Sequence, residues 1–372
     1  MSELKYLPQD AVVWGHDAVM QNMARLGSYG IEKPIVFAAK SLLPVFRTHI
    51  APHLENSVGM VTDLPQHAPD FAVRSALDTS VSTGARSIIA LGGGSVLDAA
   101  KAVSHFHEIR TGSHLPIAAL PTTLSGSEFS HYFGVTETAG RQKFKRSYAV
   151  RETVPKIILI DPVLIENTPR SLLLSSAIKG IDHAVEGMRK VECDHPHSIM
   201  AVSGVERFLS TLERWPAVDE TAEALRSRKI SHDDLLQLQL AAWQCYFYPA
   251  SVIYGLSHRI GHILGGTYGL PHSATSCVTL APVIRACRDF YGDKLQAFTQ
   301  AATAGTAASA LADRISDVVR FLGLPDKVSD FGLSRQTVGS VATLLVHNYP
   351  EEVADLGENS SAKLVDLLER IW

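Results

Sequence analysis

Ser87-Ile88-Ile89-Ala90-Leu91 runs directly into Gly92-Gly93-Gly94-Ser95, and Val96-Leu97-Asp98-Ala99-Ala100-Lys101-Ala102-Val103 follows. The first five residues are apolar and β-branched enough to read as a buried strand, and the last eight carry helix formers at helical spacing. The unit is therefore strand, glycine turn, helix. Without Cβ atoms the chain turns sharply and lets a ligand come close to its amides, while the helix start offers unpaired N–H groups and the positive end of its dipole. A diphosphate is the expected occupant. The same glycines would also serve an ordinary tight turn, and the spacing is neither GxGxxG nor the Walker pattern, so the neighbouring segments have to decide.

Outward from this unit, short apolar runs at Ile35 to Ala39, Val58 to Val61, Pro116 to Leu120 and Lys156 to Ile160 alternate with helical patterns. That rhythm predicts an α/β layer whose strands are buried on both faces of a mostly parallel sheet. Pro121-Thr122-Thr123-Leu124-Ser125-Gly126-Ser127-Glu128 follows the strand at Pro116 to Leu120 with hydroxyls and a second glycine turn. Alone it reads as a capping and turn segment. Beside the first loop, at the carboxyl ends of parallel strands, it faces the same ligand.

After Asp161-Pro162 the texture changes. Ser171 to Lys190, Ser198 to Leu212, Asp233 to Tyr248, Leu295 to Phe321 (broken near Gly305) and Ser361 to Trp372 read as helices. The expected organisation is an α/β dinucleotide-binding domain over 1–165 and an all-helical catalytic domain over 166–372, with a ligand cleft between them.

Bulk properties fit that division. A chain of 372 residues is long enough for two cores, and 46% hydrophobic with 19% charged residues is a globular composition. A net charge of -4 gives no footprint for nucleic acid. Cys193, Cys245, Cys277 and Cys287 show no CxxC spacing, no secretory pattern opens the chain, and no run reaches about 18 apolar residues. These features point to the reducing cytoplasm and away from membranes; Cys277 reads as a small packed side chain.

In the helical half, Gly255-Leu256-Ser257-His258-Arg259-Ile260-Gly261-His262 sets two imidazoles four residues apart on one helix face, and Leu270-Pro271-His272 follows. An earlier helix carries Asp182-His183-Ala184-Val185-Glu186. Converging neutral imidazoles suit a divalent transition metal. Equally, 16 histidines in the chain allow some to cluster as core or surface residues. HxxxH without an intervening Glu excludes the zincin motif.

Taken in order, LGGGSVLDAAKAV (91–103), LPTTLSGSE (120–128), KIILIDPVL (156–164), HAVEG (183–187) and GLSHRIGHILGGTYGLPH (255–272) resemble the iron-containing alcohol dehydrogenase superfamily, and within it the maleylacetate reductase branch. The resemblance runs along nearly the whole chain. It implies the dehydroquinate synthase-like, iron alcohol dehydrogenase fold, NAD(H) or NADP(H) as cofactor, and hydride transfer in the cleft. It places Gly93, Gly94 and Ser95 on the pyrophosphate, Asp98 near the ribose and nicotinamide, and Thr122, Thr123 and Ser127 along the cofactor. Lys143 or Lys145 corresponds to a lysine that reaches the cofactor in relatives. His183, His258 and His272 correspond to metal ligands, with His262 beside the nicotinamide, and a homodimer is implied.

The remaining metal ligand in such enzymes is an aspartate four residues before the first His, and here that position is Lys179. An ammonium has no lone pair to give a cation and is repelled by it. Two readings follow: Lys179 fills the vacated cation position and polarises an anionic substrate, or it swings to solvent and the histidines still bind iron or zinc. The first makes the chain an NAD(P)H-dependent reductase of a small anionic carbonyl or enoyl acid, without a metal. Lys179, His258 and His262 then do the chemistry, and His262 is the proton source, since an unperturbed imidazole, with a pKa of about 6.5, exchanges protons at neutral pH. The second makes it a metal-dependent dehydrogenase of small alcohols and aldehydes. A third, a lyase of the sugar phosphate cyclase type, lacks its acidic ligand in Ser176-Ala177-Ile178-Lys179. The strand ending at Ala39 is followed by Lys40-Ser41 rather than an acid, which admits a 2′-phosphate as well as NADH.

Overall fold

The computed structural model describes residues 4–138, 144–192, 194–217, 220–247, 254–299 and 303–372. The chain divides into two compact units, Met1–Pro169 with Val218–Leu240, and Arg170–Ala217 with Ala241–Trp372.

In the first unit the apolar runs form the expected parallel sheet. Its strands are β1 (Ala11–Trp14), β2 (Pro34–Ala38), β3 (Gly59–Val61), β4 (Ser87–Gly92), β5 (Ile117–Pro121) and, after a separate hairpin of β6 (Tyr132–Glu137) and β7 (Phe144–Ala149), β8 (Ile157–Ile160). Among the described residues the order is β1-β8-β5-β4-β2-β3, with every pairing parallel. Ile35, Phe37, Ile88, Ile89, Ala118 and Ile158 are fully buried, because helices cover a parallel sheet on both faces. Each buried Ile contributes about 1.5–3 kcal/mol by leaving water.

Two strand features lie outside the sequence reading. β1 is a four-residue, half-buried edge strand, too short for its pattern to stand out. The β6–β7 hairpin is broken by charged residues, and its apolar content shows only across the pair, where Phe133 opposes Tyr148 and the rings stack at 5.0 Å.

The chain runs outward from β2 to β3, then returns to build β4, β5 and β8 on the other side of β2. That reversal puts the carboxyl end of β4 at a switch point, where open sheets of this kind bind ligands. β4 and β5 pair in register from Ile88 with Ile117 to Gly92 with Pro121, and the Thr122 N–H continues the ladder to the Gly92 carbonyl at 3.2 Å. The two glycine-containing loops thus leave the sheet side by side. Helices α1 (Asp70–Ser82) and α2 (Gly94–Thr111) flank this centre, α2 springing directly from the glycine turn.

The second unit is helical: α3 (Arg170–Gly187), α4 (Pro196–Leu212), α5 (Leu256–Tyr268), α6 (His272–Ala286), α7 (Ala304–Phe321), α8 (Val338–Asn348) and α9 (Ser360–Ile371). Of a further helix, His232–Cys245, the residues up to Leu240 are grouped with the first unit. The break foreseen near Gly305 is a true helix start, where the Thr303 hydroxyl accepts from the Thr306 N–H. From Leu173 through Arg189 every residue is buried, so α3 is the core of this unit and packs against α4, α5 and α6.

A methyl group on Gly92 would lie 2.6 Å from both Cβ and a γ carbon of Val96 in the first turn of α2. Val96 is buried and its Cβ cannot swing away. Gly92→Ala is expected to cost about 1–3 kcal/mol, read as a lower denaturant midpoint. An unchanged midpoint would show that α2 shifts freely.

Candidate active site

In the first unit the glycine turn is built for close approach. The helix start at Gly93 has no side-chain cap, so the first amides of α2 are left for a ligand. A Cβ on Gly93 would lie 2.7 Å from a methyl carbon of Thr123, so the two loops touch only because that side chain is missing. The Ser95 hydroxyl accepts from the His67 N–H at 3.2 Å, and Thr123 and Ser125 hydroxyls join at 3.1 Å. Thr122 is buried, its carbonyl accepting from the Thr168 hydroxyl at 2.9 Å.

Behind the loops lie Asp98, expected near the ribose and nicotinamide, and two groups that sequence reasoning passed over, Lys101 and Glu128. Asp98 accepts from the Ser127 hydroxyl at 3.1 Å and from the Gly134 N–H at 3.3 Å, so its carboxylate is engaged with the second loop. Lys101, one turn later on α2, is fully buried and donates to the Ser127 carbonyl at 2.5 Å, the Ser127 hydroxyl at 3.2 Å and the Tyr132 carbonyl at 3.0 Å. Glu128 lies buried nearby, and its Oε2 has no hydrogen-bond partner among the described residues. Burial drives both groups toward neutrality, Lys101 down to about 8 and Glu128 up to about 7. Lys143 lies outside the described residues, and nothing is described of the Lys145 side chain.

In the second unit the chemistry is set by one face of α3. Lys179, Asp182, His183 and Glu186 recur at helical spacing, so they line the same side. Lys179 does not reach solvent: it is 1% exposed, donating to Asp182 Oδ2 at 2.9 Å and to His258 Nδ1 at 3.0 Å. Ser276 on α6 donates to the same Asp182 oxygen at 2.6 Å. Asp182 Oδ1 and His183 Nδ1 are buried without a hydrogen-bond partner among the described residues.

Glu186 performs a different task. Its two oxygens accept from the N–H groups of Gly255 (3.0 Å), Ser257 (2.7 Å) and His258 (2.9 Å). A carboxylate on α3 thereby caps α5, whose start has no cap of its own. It fixes where His258 begins its helix. Burial and the neighbouring Asp182 push Glu186 up to about 8, against the pull of the amides.

The imidazoles converge around that start. His258 lies 4.5 Å from His262 and 5.7 Å from His272 between ring centres, and His262 lies 5.5 Å from His272. The turn Gly269-Leu270-Pro271 brings His272, the first residue of α6, back beside them. One nitrogen from each of these three lies within 4.8 Å of the others; among the described residues this is the one group spaced to hold a metal ion. His183 stands outside that trio, 5.3 Å from His258 and boxed by Tyr246 at 4.6 Å and Tyr254 at 5.0 Å. Burial first, and then the Lys179 charge, hold His183 and His258 well below the usual imidazole range, so both rings are neutral. Tyr349 borders His262 at 6.4 Å and carries the Arg259 guanidinium over its ring at 4.7 Å.

The family model of the iron-containing alcohol dehydrogenases matches residues 8–162, and the model of the family's C-terminal domain matches residues 173–372. The chain belongs to the iron-containing alcohol dehydrogenase family. It is 28% identical over 340 residues to maleylacetate reductase of Pseudomonas aeruginosa, covering 91% of this chain and 90% of that one. With maleylacetate reductase 1 of Cupriavidus pinatubonensis it shares 26% over 340 residues, 91% and 89% of the two chains. It therefore falls in the maleylacetate reductase branch and is an NAD(P)-dependent oxidoreductase, which sets aside the lyase alternative. Solved structures share the fold: maleylacetate reductase from Rhizobium sp. strain MTP-10005 (TM-score 0.79, 23% identity, 100% and 99% of the chains) and sulfoacetaldehyde reductase from Bifidobacterium kashiwanohense in complex with NAD+ (0.82, 18%, 100% and 99%).

The residues of this reductase suit the cofactor its family binds. An uncapped 18-residue helix start and a turn that a Cβ would fill are what a diphosphate requires. They suit a catalytic metal poorly. The position of the acidic ligand holds an ammonium in hydrogen-bond contact with one of the imidazoles, and ammonium donates only. Asp182, Glu186, Ser276, Tyr246, Tyr254 and Tyr349 escaped sequence reasoning, although a lysine, an aspartate, a histidine and a glutamate repeating on one face of an apolar helix was a usable signal.

Glu128 gives a pH test. Its folded value lies above the ordinary 4.5, so its contribution to stability is complete below that value and is lost as pH rises through about 7. Glu128→Gln removes the titration, and is expected to stabilise the protein at pH 8 by on the order of 1–3 kcal/mol and to give no gain at pH 4. Thermal melts of both proteins across that range check it; a pH-independent difference contradicts it.

Proposed function

We propose that this enzyme reduces a small anionic carbonyl or enoyl acid of the maleylacetate type with NADH or NADPH, and that Lys179 with His258 supplies the electrophilic assistance without a metal. The observation that carries the reading is the Lys179 contact to His258 Nδ1 at 3.0 Å. Ammonium has donors only, so Nδ1 is the acceptor, and the neutral ring carries its proton on Nε2. His258 is thereby held as a hydrogen-bond donor, with no lone pair on Nε2 for a cation.

Gly93, Gly94 and Ser95 would hold the diphosphate, with Asp98, Thr122, Thr123, Ser127 and Lys143 beside the cofactor. Reduced nicotinamide bound there supplies the hydride. His258 donates Nε2–H to the oxygen on which negative charge develops, and His272 flanks it. The Lys179–Asp182 pair locks that tautomer and orientation, so the donor is organised before substrate arrives. His262 delivers the proton. The names of the relatives, reductases of maleylacetate and of sulfoacetaldehyde, support an anionic substrate. Lys40 follows β2 with no acid between them, which leaves room for a 2′-phosphate.

A second reading has one observation in its favour, the 4.8 Å grouping of His258, His262 and His272, which would make the protein a metal-dependent alcohol dehydrogenase. Nicotinamide oxidation with maleylacetate, short keto acids and aldehydes, with and without chelator, separates the two. We expect turnover of the acids that is insensitive to chelation. Lys179→Met should lower kcat by roughly 10²–10³ with NADH affinity unchanged. Stoichiometric iron or zinc with chelator-sensitive activity, or full turnover in Lys179→Met, overturns the proposal.

A further inference from the structure

We propose that Lys101 is a positioning residue for the cofactor: through three hydrogen bonds it sets the second loop, 122–131, and the start of β6 against the glycine turn. The inference rests on the reading that these loops hold NAD(P).

Lys101 is 0% exposed on α2, the helix whose first turn faces the diphosphate. Its Nζ has three protons, and three acceptors on the second loop and the first residue of β6 take them: the Ser127 carbonyl at 2.5 Å, the Ser127 hydroxyl at 3.2 Å and the Tyr132 carbonyl at 3.0 Å. None of these is a carboxylate. Asp98, on the same face one turn earlier, binds the loop from its other side through the Ser127 hydroxyl and the Gly134 N–H. Ser127 is therefore held between the two charged side chains, which tie the loop to the helix.

A buried ammonium with carbonyl and hydroxyl partners is costly, and an apolar side chain of similar volume would commonly pack there at lower free energy. What only the lysine provides is a fixed backbone path for residues 127 to 132. Ser127, which lines the proposed cofactor path, opens that segment, and Thr122 and Thr123 precede it on the same loop. A loop free to wander would leave the first amides of α2 in place and lose the facing wall, so the deficit should appear in cofactor affinity and hardly in the chemistry.

The test uses the full chain. In Lys101→Met the Kd and KM for NADH should rise about tenfold or more, while kcat at saturating NADH stays within about threefold. Amide exchange in 125–134 of the cofactor-free protein should accelerate, with exchange in 256–268 unchanged. A folded Lys101→Met with NADH affinity within about twofold of the wild type overturns the proposal. If Lys101→Met shows no cooperative melt, Ser127→Ala carries the test, because it removes the link between Lys101 and Asp98 at a loop hydroxyl. Faster exchange over 128–134 in the cofactor-free variant is then expected, and unaltered exchange overturns the proposal. Wild-type protein that binds neither NADH nor NADPH would instead overturn the cofactor reading of the loops, a different failure from unaltered affinity in a variant.

Discussion

Helix α3 is buried along nearly its whole length, yet one face of it carries a lysine, an aspartate, a histidine and a glutamate. Taking such groups out of water costs several kcal/mol each unless partners replace the lost hydration. The hydrogen bonds around α3 answer much of that requirement. Lys179 and Ser276 on α6 both donate to Asp182 Oδ2, and Glu186 takes three amides at the start of α5. The same bonds that make the burial tolerable also fix α5 and α6 against α3, and so bring His258, His262 and His272 to one place. Stability and site geometry are one network here.

That network changes what the histidines can do. In a trio of free imidazoles, each ring offers a lone pair. Lys179 removes that freedom from His258 by occupying Nδ1, and burial keeps the ring from taking a second proton. The ammonium's own charge is largely spent on Asp182 at 2.9 Å, so its influence passes through the tautomer and orientation of His258 rather than through direct attraction of substrate. A single side chain at one position of the histidine cluster thus takes up Nδ1 of His258.

The nucleotide unit solves a related problem with opposite means. There side chains are absent where they would intrude, as at Gly92 and Gly93, and the backbone of the turn is left open to close approach. Buried charge is used behind the loops, not at them: Lys101 and Asp98 brace the second loop from α2. In both units an ionisable group buried in a helix dictates the position of a neighbouring segment.

Much of this was determined by the sequence alone. The strand, glycine turn and helix of 87–103, the apolar runs of β2, β4, β5 and β8, and the helical texture after Pro162 specify the fold class because local periodicity and turn chemistry act over short distances. The motif order carried the family, and the spacing of His258, His262 and His272 already suggested a common site. The partner of Lys179 was decided only in three dimensions, since Asp182 is a neighbour on α3 but His258 lies 79 residues away. So was the trio that closes on itself, which leaves His183 against Tyr246 and Tyr254. Glu186 as a cap for α5, and Lys101 as a brace for a loop, were equally invisible, because which donor meets which acceptor depends on how helices pack, and packing joins residues that no local pattern connects.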